Sequence, residues 1–361
     1  MAIASAQAHA PLNGLLNTAD AARRLQGLAL DRLGFAPQTT PSRLVCKTRA
    51  GDLLAYQPAS AGRPALLIVP APIKRPYIWD LAPGASAVER LLSSGLQVYL
   101  LDWYRPQPGD EGLGLEHYAE RAVRTSLDAI QVETGEAKAF LAGHSLGGTF
   151  AAVFASLHPH RVRGLIELEG PIAFDRGRLE AAARSGPAPQ AITRVLGNVP
   201  GTFLDFASLN ADPHTFHHEP IADRILSSAS WETSRLHWRV RRWTLDETPM
   251  ARRLFEEVDE ALYRENRFVE GRLRVGGRLA NPRAIEAPIL AVLDPRSRIV
   301  PPSSIEAYRT CTQSRRVQLL EYSGDTGVVM QHVGVLVGRS AHEQLWPRIC
   351  SWIRDEALSV G

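Results

Sequence analysis

Cysteine, methionine and any surplus of one charge are what this chain has least of. Three cysteines in 361 residues, Cys46, Cys311 and Cys350, are odd in number and far apart. They form neither a disulfide framework nor the close pairing of a zinc site, so a reducing, cytoplasmic setting is expected. A formal net charge of +3 leaves no electrostatic footprint for a nucleic acid. No apolar run approaches the roughly 20 residues of a membrane span. Met1–Ala10 has no basic segment ahead of an apolar one, so no secretory signal is expected. Internal repeats and low-complexity stretches are also absent.

What is present is an alternation. Apolar runs of strand length (Ala65–Val69, Gln97–Leu101, Ala137–Ala142, Arg161–Leu168) are separated by helix-length amphipathic segments near 85–94, 116–133 and 146–157. Two shorter strands, Arg43–Thr48 and Leu53–Tyr56, precede them, and Pro288–Leu293 and Val317–Glu321 resume the series. A last helix is expected over 340–355. Continuous apolar strands between helices imply a parallel sheet buried on both faces. Residues 11–34, with Leu12, Leu15, Leu16, Ala21, Leu25, Leu28 and Leu30 at helical spacing, predict an N-terminal helix or helix pair. The stretch 171–283 breaks the pattern and reads as short helices. The expected division is an N-terminal helical segment (1–40), an α/β core (41–170 and 284–361) and a cap inserted after the sixth strand (171–283).

The segment Gly143-His144-Ser145-Leu146-Gly147 lies between a strand and a helix pattern. That is the context in which G-x-S-x-G forms a nucleophile elbow, and it points to the α/β-hydrolase fold with Ser145 as nucleophile. His332, between the last strand and the last helix, is the expected base. His144 packs or orients within the elbow. His214, His217 and His218 lack the Cys or carboxylate pattern of a metal site, and neither metal nor cofactor is expected. For the oxyanion, Leu146 N–H is one donor. The other comes from the loop Val69-Pro70-Ala71-Pro72-Ile73, where the prolines cannot donate. Ile73 is taken as that donor, with Ala71 as the alternative.

The acid is less direct. The fold commonly places it after the seventh strand, but counting back from Ile299-Val300-Pro301 puts Ser297 at that position and Asp294 three residues early. Arg161–Gly170 resembles the sixth strand of haloalkane dehalogenases, in which the acid ends that strand. Glu169 stands there. Glu169 is favoured and Asp294 is the alternative.

Several further stretches resemble the polyhydroxyalkanoate synthases, chiefly the short class that works with a second subunit. They are Pro64–Pro70, Arg75–Leu81, Gly95–Trp103, Gly197–Gly201, Trp243 with Asp246 and Pro249, Leu262–Asn266 and Gly276–Arg278. The resemblance runs from about Pro41 to Trp352. It implies a hydroxyalkanoate ester or thioester as substrate and a homodimer. The sequence departs from the family at the chemistry: Ser145 stands where the synthases carry Cys, and Ser297-Arg298 where they carry Asp-His. A thiolate is both a strong nucleophile and a good leaving group, whereas a serine ester is more readily lost to water. The expected activity is therefore a serine ester hydrolase. The alternatives are an acyltransferase passing the acyl group to an alcohol and a catalytically silent granule-binding scaffold. Arg235, Arg239, Arg241 and Arg242 are expected on a solvated helix face, and Trp231, Trp238 and Trp243 in a small cap core.

Overall fold

The computed structural model describes residues 2–56 and 62–358, with side chains from Gly14 onward. Eight strands form one sheet: β1 (Arg43–Lys47), β2 (Gly51–Ala55), β3 (Ala65–Val69), β4 (Gln97–Trp103), β5 (Ala139–His144), β6 (Val162–Leu168), β7 (Ile289–Leu293) and β8 (Val317–Glu321). Their order is β1-β2-β4-β3-β5-β6-β7-β8. The pairs β1–β2 and β2–β4 are antiparallel and the rest are parallel. Every residue of β3, β5 and β7 is buried, as their unbroken apolar runs require. Edge strand β1 buries none of its residues fully.

Helices cover both faces. α2 (Ala87–Ser93) starts where Ser86 Oγ accepts from Glu89 N–H at 2.9 Å. α3 (Val123–Thr134) stops at Gly135, whose φ of 77° only glycine adopts cheaply. α4 (Leu146–Leu157) has no charged residue and buries all twelve, so it is enclosed by the fold on every side. Since β4 and β5 flank β3, the chain reverses direction across the sheet there. Loops leave the C-terminal ends of β3, β5, β6 and β7 side by side, the edge at which open α/β sheets place their sites.

Between β6 and β7 the chain leaves the sheet for a helical excursion: α5 (Arg178–Ser185), α6 (Pro189–Leu196), α7 (Gly201–Ala211), α8 (Glu219–Ser227), α9 (Trp231–Thr244) and α10 (Arg252–Glu257). It closes with a hairpin, Leu273–Val275 and Arg278–Ala280, that the helical reading of this stretch did not anticipate. Gly276-Gly277, with φ of 57° and 78°, makes its two-residue turn.

The N-terminal helix α1 (Ala2–Leu30) lies against α6, α7 and α9, but only in part through the apolar positions its periodicity suggested, Leu16, Ala21 and Leu30 being half-buried. Leu15, Leu25 and Leu28 are exposed, and the side chain of Leu12 is outside the described residues. The docking face is polar: Asp20 accepts from Thr202 N–H at 2.8 Å, and Arg23 reaches Asp205 at 2.5 Å and Thr244 O at 2.9 Å. Specific hydrogen bonds have overridden the apolar pattern.

Candidate active site

Ser145 joins β5 to α4 with φ 55° and ψ −132°, a conformation that costs energy for any residue but glycine. The surrounding glycines permit it by close approach. A methyl on Gly143 would strike Gly148, and one on Gly147 would strike the Val69 carbonyl and Pro70. Leu146 opens α4, and it lines one cavity together with Ala71 and Ile73. Ala71 N would lie 2.8 Å from a Cβ on Gly147, so that nitrogen stands at the α4 N-terminus. The Ile73 carbonyl accepts from Thr248 N–H at 3.0 Å.

His332 and Ser145 line the same cavity. His332 is the second residue of a short helix, Gln331–Val337, rather than a loop residue. Its β-branched valines obscured that helix in the sequence, yet Val333, Val335, Leu336 and Val337 are all buried. His332 Nδ1 meets Glu169 Oε2 at 2.8 Å. The structure thus brings Glu169 into contact with His332, whereas the Asp294 carboxylate, close enough to act on both electrostatically, accepts from Arg296 N–H at 2.8 Å and Arg296 Nε at 3.1 Å. Ser297, at the more usual acid position, donates its hydroxyl to Glu169 Oε2 at 3.2 Å. This support joins loops 128 residues apart, and no local motif could have signalled it. His144 Nε2 lies 2.8 Å from His332 O, with the two rings 4.5 Å apart. The elbow histidine therefore props the base.

Burial governs the charges here. It pushes His332 down to about 4, against an opposing pull from Asp294. It drives the Glu169 carboxyl well above its ordinary value, with Asp294 adding to the rise and the Ser297 hydroxyl opposing it. With Nδ1 held by Glu169, Nε2 is the ring nitrogen left to accept a proton at neutral pH.

The cavity encloses about 560 Å³, within the range of small-molecule sites, and its lining is mainly apolar. Helices α5, α7 and α9 contribute Leu179, Leu204 and Trp243 to it. Trp243 thus faces the cavity, where Lys74 stands 5.3 Å over its ring. Trp238 packs on Phe35, with ring centroids 6.1 Å apart, and Trp231 is 72% exposed. The three tryptophans do not form a common core, because α9 turns them to different neighbours. The arginines also part. Arg239 is buried and Arg242 pairs with Asp31 at 2.8 Å, while Arg235 and Arg241 are exposed as expected, Arg241 at the rim of the cavity that it helps line. Beside Arg241, Glu247 receives Lys74 at 2.7 Å, and burial raises its carboxyl to about 7. His214, His217 and His218 are exposed.

The chain belongs to the α/β hydrolase fold family, whose sequence model matches residues 64–323. Within that fold it is polyhydroxyalkanoate synthase-like. It is 30% identical over 325 residues to a poly(3-hydroxyalkanoate) polymerase subunit PhaC of Haloferax mediterranei, a match covering 88% of this chain and 64% of that one. It is 29% identical to the subunit of the same name from Synechocystis, across 92% of this chain and 88% of the relative. The chain thus spans just under two thirds of the Haloferax protein. Among solved structures, a putative lipase from Sulfolobus solfataricus superposes with a TM-score of 0.55 at 15% identity, covering 88% of this chain and 99% of its own. A monoacylglycerol lipase from Paleococcus ferrophilus gives 0.53 at 18%, covering 82% and 97%. These two show the shared fold. Among the described residues no helix is long and apolar enough to cross a membrane.

Proposed function

We propose that this chain is an acyl-serine enzyme acting on a hydroxyalkanoate ester or thioester, and that it passes the acyl group to an alcohol. Ser145 Oγ attacks the carbonyl while His332 Nε2 takes its proton. Glu169 orients the imidazole and stabilises its charged form. Leu146 N–H and a β3-loop N–H, for which Ala71 is better placed than Ile73, hold the oxyanion. The leaving group departs with the proton from His332, and the alcohol acceptor then attacks the acyl-serine by the same steps in reverse. The excursion 171–283 serves as a cap that keeps water from the ester. The observation that carries the reading is the 2.8 Å contact between His332 Nδ1 and the buried Glu169 Oε2, behind the cavity that His332 and Ser145 both line.

The comparisons favour transfer over the hydrolysis expected from the sequence, because the relatives cited above are named as polymerase subunits. Hydrolysis is kept as a second reading for one reason: the nucleophile is Ser145, whose oxygen ester is open to water wherever water enters.

The test is turnover of 3-hydroxyacyl p-nitrophenyl esters and thioesters, with and without added hydroxy ester, counting new ester against free acid. Transfer predicts that ester product dominates when acceptor is present. Free acid alone, at every acceptor concentration, would establish the hydrolase instead. Ser145→Ala and Glu169→Gln should each lower kcat by roughly 10³-fold or more, whereas Asp294→Asn should stay within about tenfold of wild type.

A further inference from the structure

Between the end of β8 at Glu321 and the base, the chain takes a costly path. The loop from Gly324 to Met330 includes Gly327 at φ 89° and Val329 at φ 65°. The first is glycine's ordinary freedom. The second is not, because a β-branched residue in the left-handed region is a true outlier that persists only where its surroundings impose it. Val328 and Val329 are both buried, so solvent does not hold this loop in shape.

Its first half is held by neighbouring core residues: Asp325 accepts from Tyr322 Oη at 3.0 Å and from Ser340 N–H at 2.8 Å. Its second half is held from the excursion. Asp223 on α8, buried, accepts Gly327 N–H on Oδ1 at 2.7 Å and Val329 N–H on Oδ2 at 2.9 Å. The same Oδ2 lies 2.7 Å from Nδ1 of His237, buried on α9. A methyl on Gly327 would strike the carbonyl of Thr233, also on α9. Glu219, at the start of α8, accepts from Gln331 N–H at 3.4 Å. One carboxylate thus collects two backbone donors from the base loop, and an imidazole on the neighbouring helix fixes its orientation.

We propose that Asp223 is a positioning residue for His332: helices α8 and α9, seated over the site, fix Val329 in its strained conformation and so set the base three residues further on. His332 is then gripped from two sides. The core holds its carbonyl through His144 and its Nδ1 through Glu169, and the excursion holds the backbone leading into it. The base is aligned only while α8 and α9 are seated, which links closure over the acyl group to readiness of the catalyst. This inference rests on the acyl-serine reading above.

The test uses the full chain and the p-nitrophenyl hydroxyacyl ester. Asp223→Asn replaces one acceptor oxygen by an NH2 group that faces donors. It should lower kcat about 30- to 100-fold with KM within about threefold, the scale expected when a supporting partner of a catalytic group is lost. Labelling of Ser145 by a fluorophosphonate should slow in step, and hydrogen exchange of the 324–333 segment should accelerate. Adding Val329→Gly, which removes the left-handed penalty, should recover at least about tenfold of that loss. A merely structural role predicts the opposite, further loss in the double variant with KM and melting temperature moving together. Wild-type kcat in Asp223→Asn overturns the proposal, as does failure of the added glycine to restore either activity or, should the single variant not fold, folding. A wild-type chain that turns over no ester and takes no label instead overturns the acyl-serine reading itself.

Discussion

At the residue scale, the carboxylate that meets His332 is Glu169, which follows β6 rather than β7, and Ser297, at the more usual acid position, bears on it. Ser297 donates to Glu169 Oε2, the oxygen that also holds His332. A hydroxyl donor favours the charged carboxylate over the neutral acid, and Glu169 needs that support because burial and Asp294 both raise it. Ser297→Ala therefore lets Glu169 keep its proton to higher pH. The acid limb of kcat should move upward in pH and kcat at neutrality should fall about three- to tenfold. Wild type should behave differently from a surface histidine. Its base, pushed down to about 4 by burial, stays neutral as the pH falls from 8 toward 5, so an acid limb in that range reports Glu169 rather than His332 and should move upward in Ser297→Ala. A pH–rate profile of both proteins checks this, and a limb that stays at the same pH in Ser297→Ala would refute it. As candidates, Ser145 and Glu169 were legible because each directly follows a strand whose apolar run announces it, and His332 because it stands between the last strand and the last helix. Ser297, Asp223 and Val329 were not, because their roles depend on contacts between loops or on a backbone angle that no local pattern encodes.

At the element scale, the strands were read nearly to the residue because burial on both faces leaves them little choice but apolar side chains. α1 was foreseen as a helix, but which side chains of α1 and α9 pack inward was misread for the converse reason. Their partners are other helices and ion pairs, which amphipathic spacing does not specify. The junction of β5 with α4 is the most constrained element of all. Gly147 faces the Val69 carbonyl, Pro70 and Ala71 N across a gap that admits no methyl. Those atoms belong to the loop that carries the second oxyanion donor in our reading. Gly147→Ala must push that loop away from α4 by a large fraction of an ångström. Overpacking of this kind costs about 1–3 kcal/mol, and misplaced donors cost far more in rate. We expect a fall in kcat of about 100-fold or more, with a folded protein whose melting temperature drops by several degrees. Near-normal labelling of Ser145 in this variant would show that the loop does not serve the oxyanion.

At the scale of the whole molecule, buried ionisable groups pull stability in opposite directions with pH. Burial lowers His144, His332 and His342. Their unfolded forms bind protons more readily, so their stabilising contribution is complete above about pH 6.5 and is lost as the pH falls toward 4. Burial raises Glu167, Glu180 and Glu247. For these the folded state binds the proton more tightly, so their contribution is present below about 4.5 and is lost as the pH rises through the folded value. Glu180 isolates the second effect. It lies on α5, 3% exposed, with Oε2 lacking any hydrogen-bond partner and its carboxyl raised to about 7. A rise from 4.5 to about 7 corresponds to roughly 3 kcal/mol at most. Glu180→Gln keeps the shape and removes the charge, so it should match wild type at pH 4.5 and exceed it by about 2–3 kcal/mol at pH 8.5. Urea melts at the two pH values decide the matter. A gain of equal size at both would mean that the carboxyl is not neutral in the folded protein at low pH, and that packing rather than proton binding separates the variants.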